Sequence, residues 1–299
     1  MPLVPFRELM AAAERGGYAV GYFESWNLES LLAVADAAEA ARSPVILGFS
    51  GIYLTHPQRV VTDSLDVYAA MGLATCHRLS VPCCLLFNES PYLDRVLESI
   101  DLGFNLVMFA DENLAAGELA DRVAQVVARA HPRGIAVEAE MTSLFGVTRD
   151  IGEGPAETHL DDPGAARAFV EQTGVDALAV SIGQVHVHGR SQVRLNLEQL
   201  RQLRAAVSVP LVLHGATSVH PADMVEAIRL GIRKINVGSI LKRTYLEALR
   251  SAANGVGSAY NPYDVIGSGF GSDVLTVARL AVQERVEDMM GLFGSAGKA

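Results

Sequence analysis

Short apolar runs rich in β-branched residues recur along the chain, with amphipathic helical spacing between them. Residues 19–23, 44–49, 82–87, 105–109, 135–140, 177–182, 210–213 and 234–237 read as strands, eight in all. Between them, stretches such as Leu28–Ala41 and 164–173 carry helical composition, the second opened by Asp162-Pro163 and closed by Gly174. Strand and helix in alternation imply a parallel sheet, and eight such units imply a closed α/β TIM barrel, (β/α)8. The competing fold is an open doubly wound sheet, which calls for a glycine-rich turn after the first strand. The residues there are Glu24-Ser25-Trp26-Asn27.

Two stretches break the alternation. Residues 141–161 form a long glycine-containing connection after the fifth strand, a candidate lid at the catalytic face. Residues 253–271 are rich in Gly, Ser, Asn and Pro, and an extra C-terminal helix over about 272–292 follows, expected to pack on the barrel or on a partner subunit.

Length and composition narrow the picture without changing it. The 299 residues suit one barrel, so a single domain over 1–299 is expected. A formal net charge of -10 with no basic run argues against nucleic acid or an anionic membrane surface as partner. It does not exclude an anionic substrate, because backbone N–H groups and one or two cations make such sites locally. The three cysteines, Cys76, Cys83 and Cys84, do not form a disulfide framework, and no signal peptide or spanning apolar run is present. A cytoplasmic protein is expected.

Barrel chemistry collects at the C-terminal ends of the strands. Those ends carry Glu24, Ser50, Asn88-Glu89, Glu138 with Glu140, His186, His214-Gly215-Ala216-Thr217 and Asn236-Val237-Gly238-Ser239. Together with Gly17-Tyr18-Ala19-Val20-Gly21, Val137-Glu138-Ala139-Glu140, Lys234-Ile235-Asn236-Val237 and the ending Phe293-Gly294-Ser295-Ala296-Gly297, this series resembles the class II fructose-bisphosphate and tagatose-bisphosphate aldolase family over nearly the whole chain. The resemblance implies a metal-dependent lyase. Three His residues would hold a divalent ion, an Asp beside the first would move a proton, and two loops would hold a ketose phosphate through backbone N–H groups. By the same resemblance the partner is a small phosphorylated or carboxylated carbohydrate and the assembly a homodimer or homotetramer.

At the third strand end this chain departs from that pattern. Leu86, Asn88 and Glu89 stand where the family has a His, the catalytic Asp and a metal-binding His. An amide has no usable pKa near neutrality, so Asn88 cannot shuttle a proton, although it can hydrogen-bond a substrate oxygen. The expected metal set becomes His186, His214 and Glu89, with Glu140 in reach and Glu138 orienting a ligand. Zinc is the first candidate, and Mn2+ or another divalent ion the alternative suited to Glu89. The other reading makes both His residues structural and pairs Glu89 with a cation or a substrate hydroxyl. Glu24 stands where the family often has Asn, so Glu24 or Glu89 is the candidate replacement acid/base. Ser50, Arg190, Gly215, Ala216, Thr217, Asn236, Gly238 and Ser239 are the candidate phosphate- or substrate-binding residues. Val187 replaces a family Gly beside them, and His188 offers a further imidazole. Three functions remain open at this point. One is a diverged lyase on a small ketose phosphate or related oxygenated acid. The others are a non-catalytic sugar-phosphate-binding paralogue and a metal-dependent hydrolase, isomerase or epimerase.

Overall fold

A computed structural model of the chain describes residues 3–141, 160–184 and 193–299. Eight strands, β1 (Val20–Phe23), β2 (Val45–Ser50), β3 (Cys83–Ser90), β4 (Leu106–Phe109), β5 (Ala136–Glu140), β6 (Ala177–Ala179), β7 (Leu211–Leu213) and β8 (Ile232–Val237), pair in sequence order and close into a barrel. Every neighbouring pair is parallel, including β1 with β8. The expected TIM barrel is therefore the observed one. Strand limits differ in detail: β6 stops at Ala179 rather than 182, and β3 runs on through Asn88 and Glu89 to Ser90.

Each strand is buried on both faces, which is why the strands read as near-continuous apolar runs rather than alternating ones. Outward residues such as Phe23, Leu47, Phe87, Val107 and Val137 pack under the surrounding helices. Inward residues Val20, Tyr22, Ile46, Leu86, Leu106, Ala136, Ala177 and Val212 fill the barrel interior. Close approach fixes one glycine here, because a Cβ on Gly48 would lie 2.1 Å from the Leu86 carbonyl oxygen.

The open bottom of the interior is plugged by the helix Phe6–Gly16, which the strand–helix alternation did not reveal. Its Phe6, Leu9, Met10 and Ala13 project into the inner core at i, i+3, i+4 and i+7 spacing. Gly17 ends the helix in the left-handed region at φ 64° and turns the chain into β1. The expected C-terminal helix is Val274–Leu292, started by an Asp273 cap, and it packs against Leu28–Ala41 and Ser239–Gly255 of the same chain. The tail beyond it is tied down: Ala19 N–H donates to the Phe293 carbonyl at 3.1 Å, and the Ser43 and Ser295 hydroxyls meet at 2.8 Å. Most of the lid segment, residues 142–159, and the stretch with His186, Val187, His188 and Arg190 lie outside the described residues.

The plug is expected to be an integral part of the core. Phe6→Ala should lower unfolding free energy by about 3 to 5 kcal/mol, read from urea denaturation. A loss below about 1 kcal/mol would mean the helix merely rests on the barrel.

Candidate active site at the strand ends

β5, β7 and β8 bring a buried polar network to the barrel interior. Glu138 on β5 and Lys234 on β8 belong to non-adjacent strands, so their 2.8 Å ion pair spans the interior, and neither side chain has any exposure. Lys234 Nζ also donates to Asn236 Oδ1 at 2.5 Å. His214, the residue after β7, places Nε2 3.0 Å from Glu138 Oε1 and Nδ1 3.0 Å from Glu89 Oε1. Glu140 Oε2 lies 3.6 Å from that same Nδ1.

Burial and pairing pull these groups in opposite directions. Burial alone would push the Glu138 carboxyl up, but Lys234 and His214 outweigh it and hold the group below the usual carboxylate range. Burial lowers Lys234, with Glu138 opposing it. Burial would also lower His214, yet its contacts with Glu138 and Glu89 and the charge of Glu140 raise it to about 10. Two carboxylates facing Nδ1 therefore draw a positive charge to that spot.

The donor set of Glu89, Glu140 and His214 has ligand atoms all within 4.8 Å of one another. Two ligand atoms each about 2.1 Å from a tetrahedral ion lie roughly 3.4 Å apart, close to the distances seen here. Two carboxylates and an imidazole suit zinc or a harder divalent ion. Nε2 also meets the Asn236 amide nitrogen at 2.8 Å; where it donates to Glu138 instead, Nδ1 is left to act as ligand, the carboxylate–histidine arrangement that supports metal-binding imidazoles.

Glu89 reaches this position through local strain. It has φ 51°, one of two non-glycine residues at positive φ among those described. The β3–β4 register also shifts between Phe87 and Ser90. Left-handed backbone costs a non-glycine residue about 1 to 2 kcal/mol, and such strain persists where the surroundings enforce it, commonly at functional positions.

Above the network opens a cavity of about 410 Å³. Its walls include the predicted residues Glu24, Ser50, Asn88, Glu89, Gly215, Thr217, Asn236, Gly238 and Ser239. Ala216 sits buried in the turn Ala216–Ser218, adjacent to that wall. Asn88 and Tyr22 face the cavity almost fully buried, and Asn88 Oδ1 and Tyr22 OH have no hydrogen-bond partner among the described residues. Glu24 follows β1 and its side chain is 14% exposed, so it is not a surface carboxylate. Burial pushes its carboxyl above the usual range, while Lys242 draws it back through a 2.5 Å contact.

Sequence reasoning missed Lys234, Lys242, Tyr22 and Tyr53. Lys234 left a readable trace: it stands two residues before Asn236 in the same strand, and so on the same strand face. Lys242 is four residues beyond Gly238, in the first turn of Ser239–Gly255, where only tertiary structure shows that it meets Glu24.

Residues 4–298 match the family model "Fructose-bisphosphate aldolase class-II", and the chain belongs to that family. Fructose-bisphosphate aldolase of Geobacillus stearothermophilus is 33% identical over 303 residues, covering 100% of this chain and 99% of the relative. Its Staphylococcus epidermidis counterpart is 30% identical over 300 residues, with 100% of both chains covered. Among solved structures, the YdjI aldolase of Escherichia coli K12 is similar at 32% identity and TM-score 0.81, covering 99% of each chain. The resemblance read from the strand ends is thus confirmed as family membership, and class II aldolases depend on a divalent metal.

The buried pair should behave as an interlocked unit. Lys234→Met is expected to cost about 3 to 5 kcal/mol in urea unfolding at neutral pH, because it strands the Glu138 carboxylate. Glu138 is depressed in the fold, so its stabilising effect is present above the ordinary carboxylate range and fades as pH falls through the folded value. Glu138→Gln should accordingly flatten the loss of stability on acidification. An unchanged acid limb would contradict this role.

Proposed function

We propose that the protein is a diverged class II aldolase-type lyase that breaks or forms a carbon–carbon bond next to a carbonyl in a small polyoxygenated substrate. The observation that carries this reading is the convergence of Glu89, Glu140 and His214 at the mouth of a barrel of this family. In the reading, those three residues hold a divalent ion, with His186 a further ligand expected from the sequence. Bound there, the ion would polarise the substrate carbonyl and stabilise the negative charge that develops on bond cleavage.

The rest is done by the chain's own side chains. Asn88 presents an unpartnered amide oxygen to the cavity and so accepts a hydrogen bond from a substrate donor. Glu89 is engaged with His214, which leaves Glu24 as the cavity carboxylate outside the metal set and the candidate for proton transfer. Its upward-shifted carboxyl suits that task. Gly215, Thr217, Gly238 and Ser239 line the oxygen-rich end of the substrate, with the Ser239 hydroxyl donating to Thr217 Oγ1 at 3.3 Å. The curated relatives are named fructose-bisphosphate aldolase, which makes a ketose phosphate the starting candidate and a small oxygenated acid the variant.

A second reading, a ligand-binding paralogue without catalysis, draws on Asn88 standing in the place of the family's catalytic Asp. Metal analysis separates the two. Purified protein is expected to hold about one divalent ion per chain, lost in His214→Ala. A metal-free wild type that still binds ligand would favour the second reading. Raised to about 10, His214 must shed a proton to act as ligand, so metal affinity should climb with pH by up to about tenfold per unit below that value. An affinity flat between pH 6 and 8 would remove His214 from the ligand set. Glu24→Gln should cut turnover by about a hundredfold or more with metal content unchanged, measured in steady-state kinetics.

A further inference from the structure

Gly238 precedes the helix Ser239–Gly255, whose first N–H groups have no intrahelical acceptors. Such a turn is suited to an anion, and in this protein the Glu24 carboxylate lies beside it. A Cβ on Gly238 would lie 2.4 Å from Glu24 Oε2, so the carboxylate packs directly against the bare glycine. The other oxygen, Oε1, takes the Lys242 ammonium at 2.5 Å. Lys242 is in turn held 4.2 Å from the Tyr53 ring centroid and 5.8 Å from that of Trp26. Glu24 is fixed from the backbone as well, since its N–H donates to the Val237 carbonyl at 2.9 Å. Lys242 and the bare face of Gly238 are thus both engaged by the Glu24 carboxylate.

The neutral groups of the same cavity call for a hydroxyl-bearing ligand. Asn88 Oδ1 is a buried acceptor without a partner among the described residues, and it needs a donor. Tyr22 OH, also buried and unpartnered, can give or accept a hydrogen bond. A phosphoryl dianion offers acceptors only. Placed beside Gly238, it would meet the Glu24 carboxylate with like charge. Hydroxyl groups can donate to both the carboxylate and Asn88.

We propose that Glu24 makes this pocket selective for unphosphorylated, hydroxyl-rich carbonyl compounds, by setting its own carboxylate against Gly238 and on Lys242 at the start of that helix. The inference rests on the proposed function only in taking this cavity as the substrate site, and it departs from the ketose phosphate as starting candidate. Glu24 is then a specificity residue whose effect on binding is separable from its effect on turnover. Restoring a neutral amide at position 24 should release Lys242 and the Gly238 turn for phosphate.

The test is calorimetric titration of the manganese-loaded full chain with dihydroxyacetone, with dihydroxyacetone phosphate and with inorganic phosphate. Wild type is expected to bind the phosphate ester no more than about threefold more tightly than the free ketone. Glu24→Gln should shift that ratio by about tenfold toward the ester, and should bind inorganic phosphate about tenfold more tightly. Glu24→Asn, a smaller change with the same expected direction, serves if the Gln variant folds poorly. A wild type that already favours the ester tenfold or more, or a Gln variant with the wild-type ratio, overturns the proposal. Metal content is measured on the same samples, and inorganic phosphate binding is also read without metal. A metal-free protein would therefore sink the lyase reading while leaving the Glu24 comparison readable.

Discussion

Lys234 and Glu138 meet across the barrel interior with no exposure to solvent, and His214 links that pair to the open cavity. A buried ammonium beside a buried carboxylate is tolerable only while each neutralises the other. Their positions are therefore fixed, and with them the ring of His214, one face of which is held by Glu138 while the other is presented to Glu89 and Glu140. Everything the cavity can do with a cation at that spot depends on this chain of contacts. The plug helix Phe6–Gly16 contributes from below by completing the apolar inner core.

On that scaffold the end of β3 carries three residues with different tasks. Leu86 joins the inner core, Asn88 faces the cavity as an amide, and Glu89 bends through a left-handed residue to reach His214. Glu89 brings a carboxylate to His214, and Asn88 beside it offers an amide. Glu24, following β1, lines the same cavity with a second carboxylate. Negative charge thus stands at both Glu89 and Glu24, and Lys242 is engaged by the second.

The barrel was legible because period and punctuation carry it: eight apolar runs with helical stretches between them, and chemistry-bearing residues at the run ends. The inward sharing of Glu138 and Glu140 followed from their spacing of two along a strand. The plug helix escaped notice although its Phe6, Leu9, Met10 and Ala13 have helical spacing, because it precedes the first strand and lies outside the alternation. The role of Lys234 was hidden for a different reason. Its partner lies almost a hundred residues away on a non-adjacent strand, and sequence separation says nothing of contacts across a closed barrel. The same holds for Lys242 and Glu24, and the positive φ of Glu89 has no sequence signature at all.

The central claim is that Glu89, Glu140 and His214 form a metal site built on the Glu138–Lys234 pair. Anomalous diffraction from crystals of the zinc- or manganese-loaded protein tests it most directly. One strong peak is expected within about 2.0 to 2.4 Å of ligand atoms from all three residues. A map with no peak there, or with the ion bound only elsewhere, would contradict it.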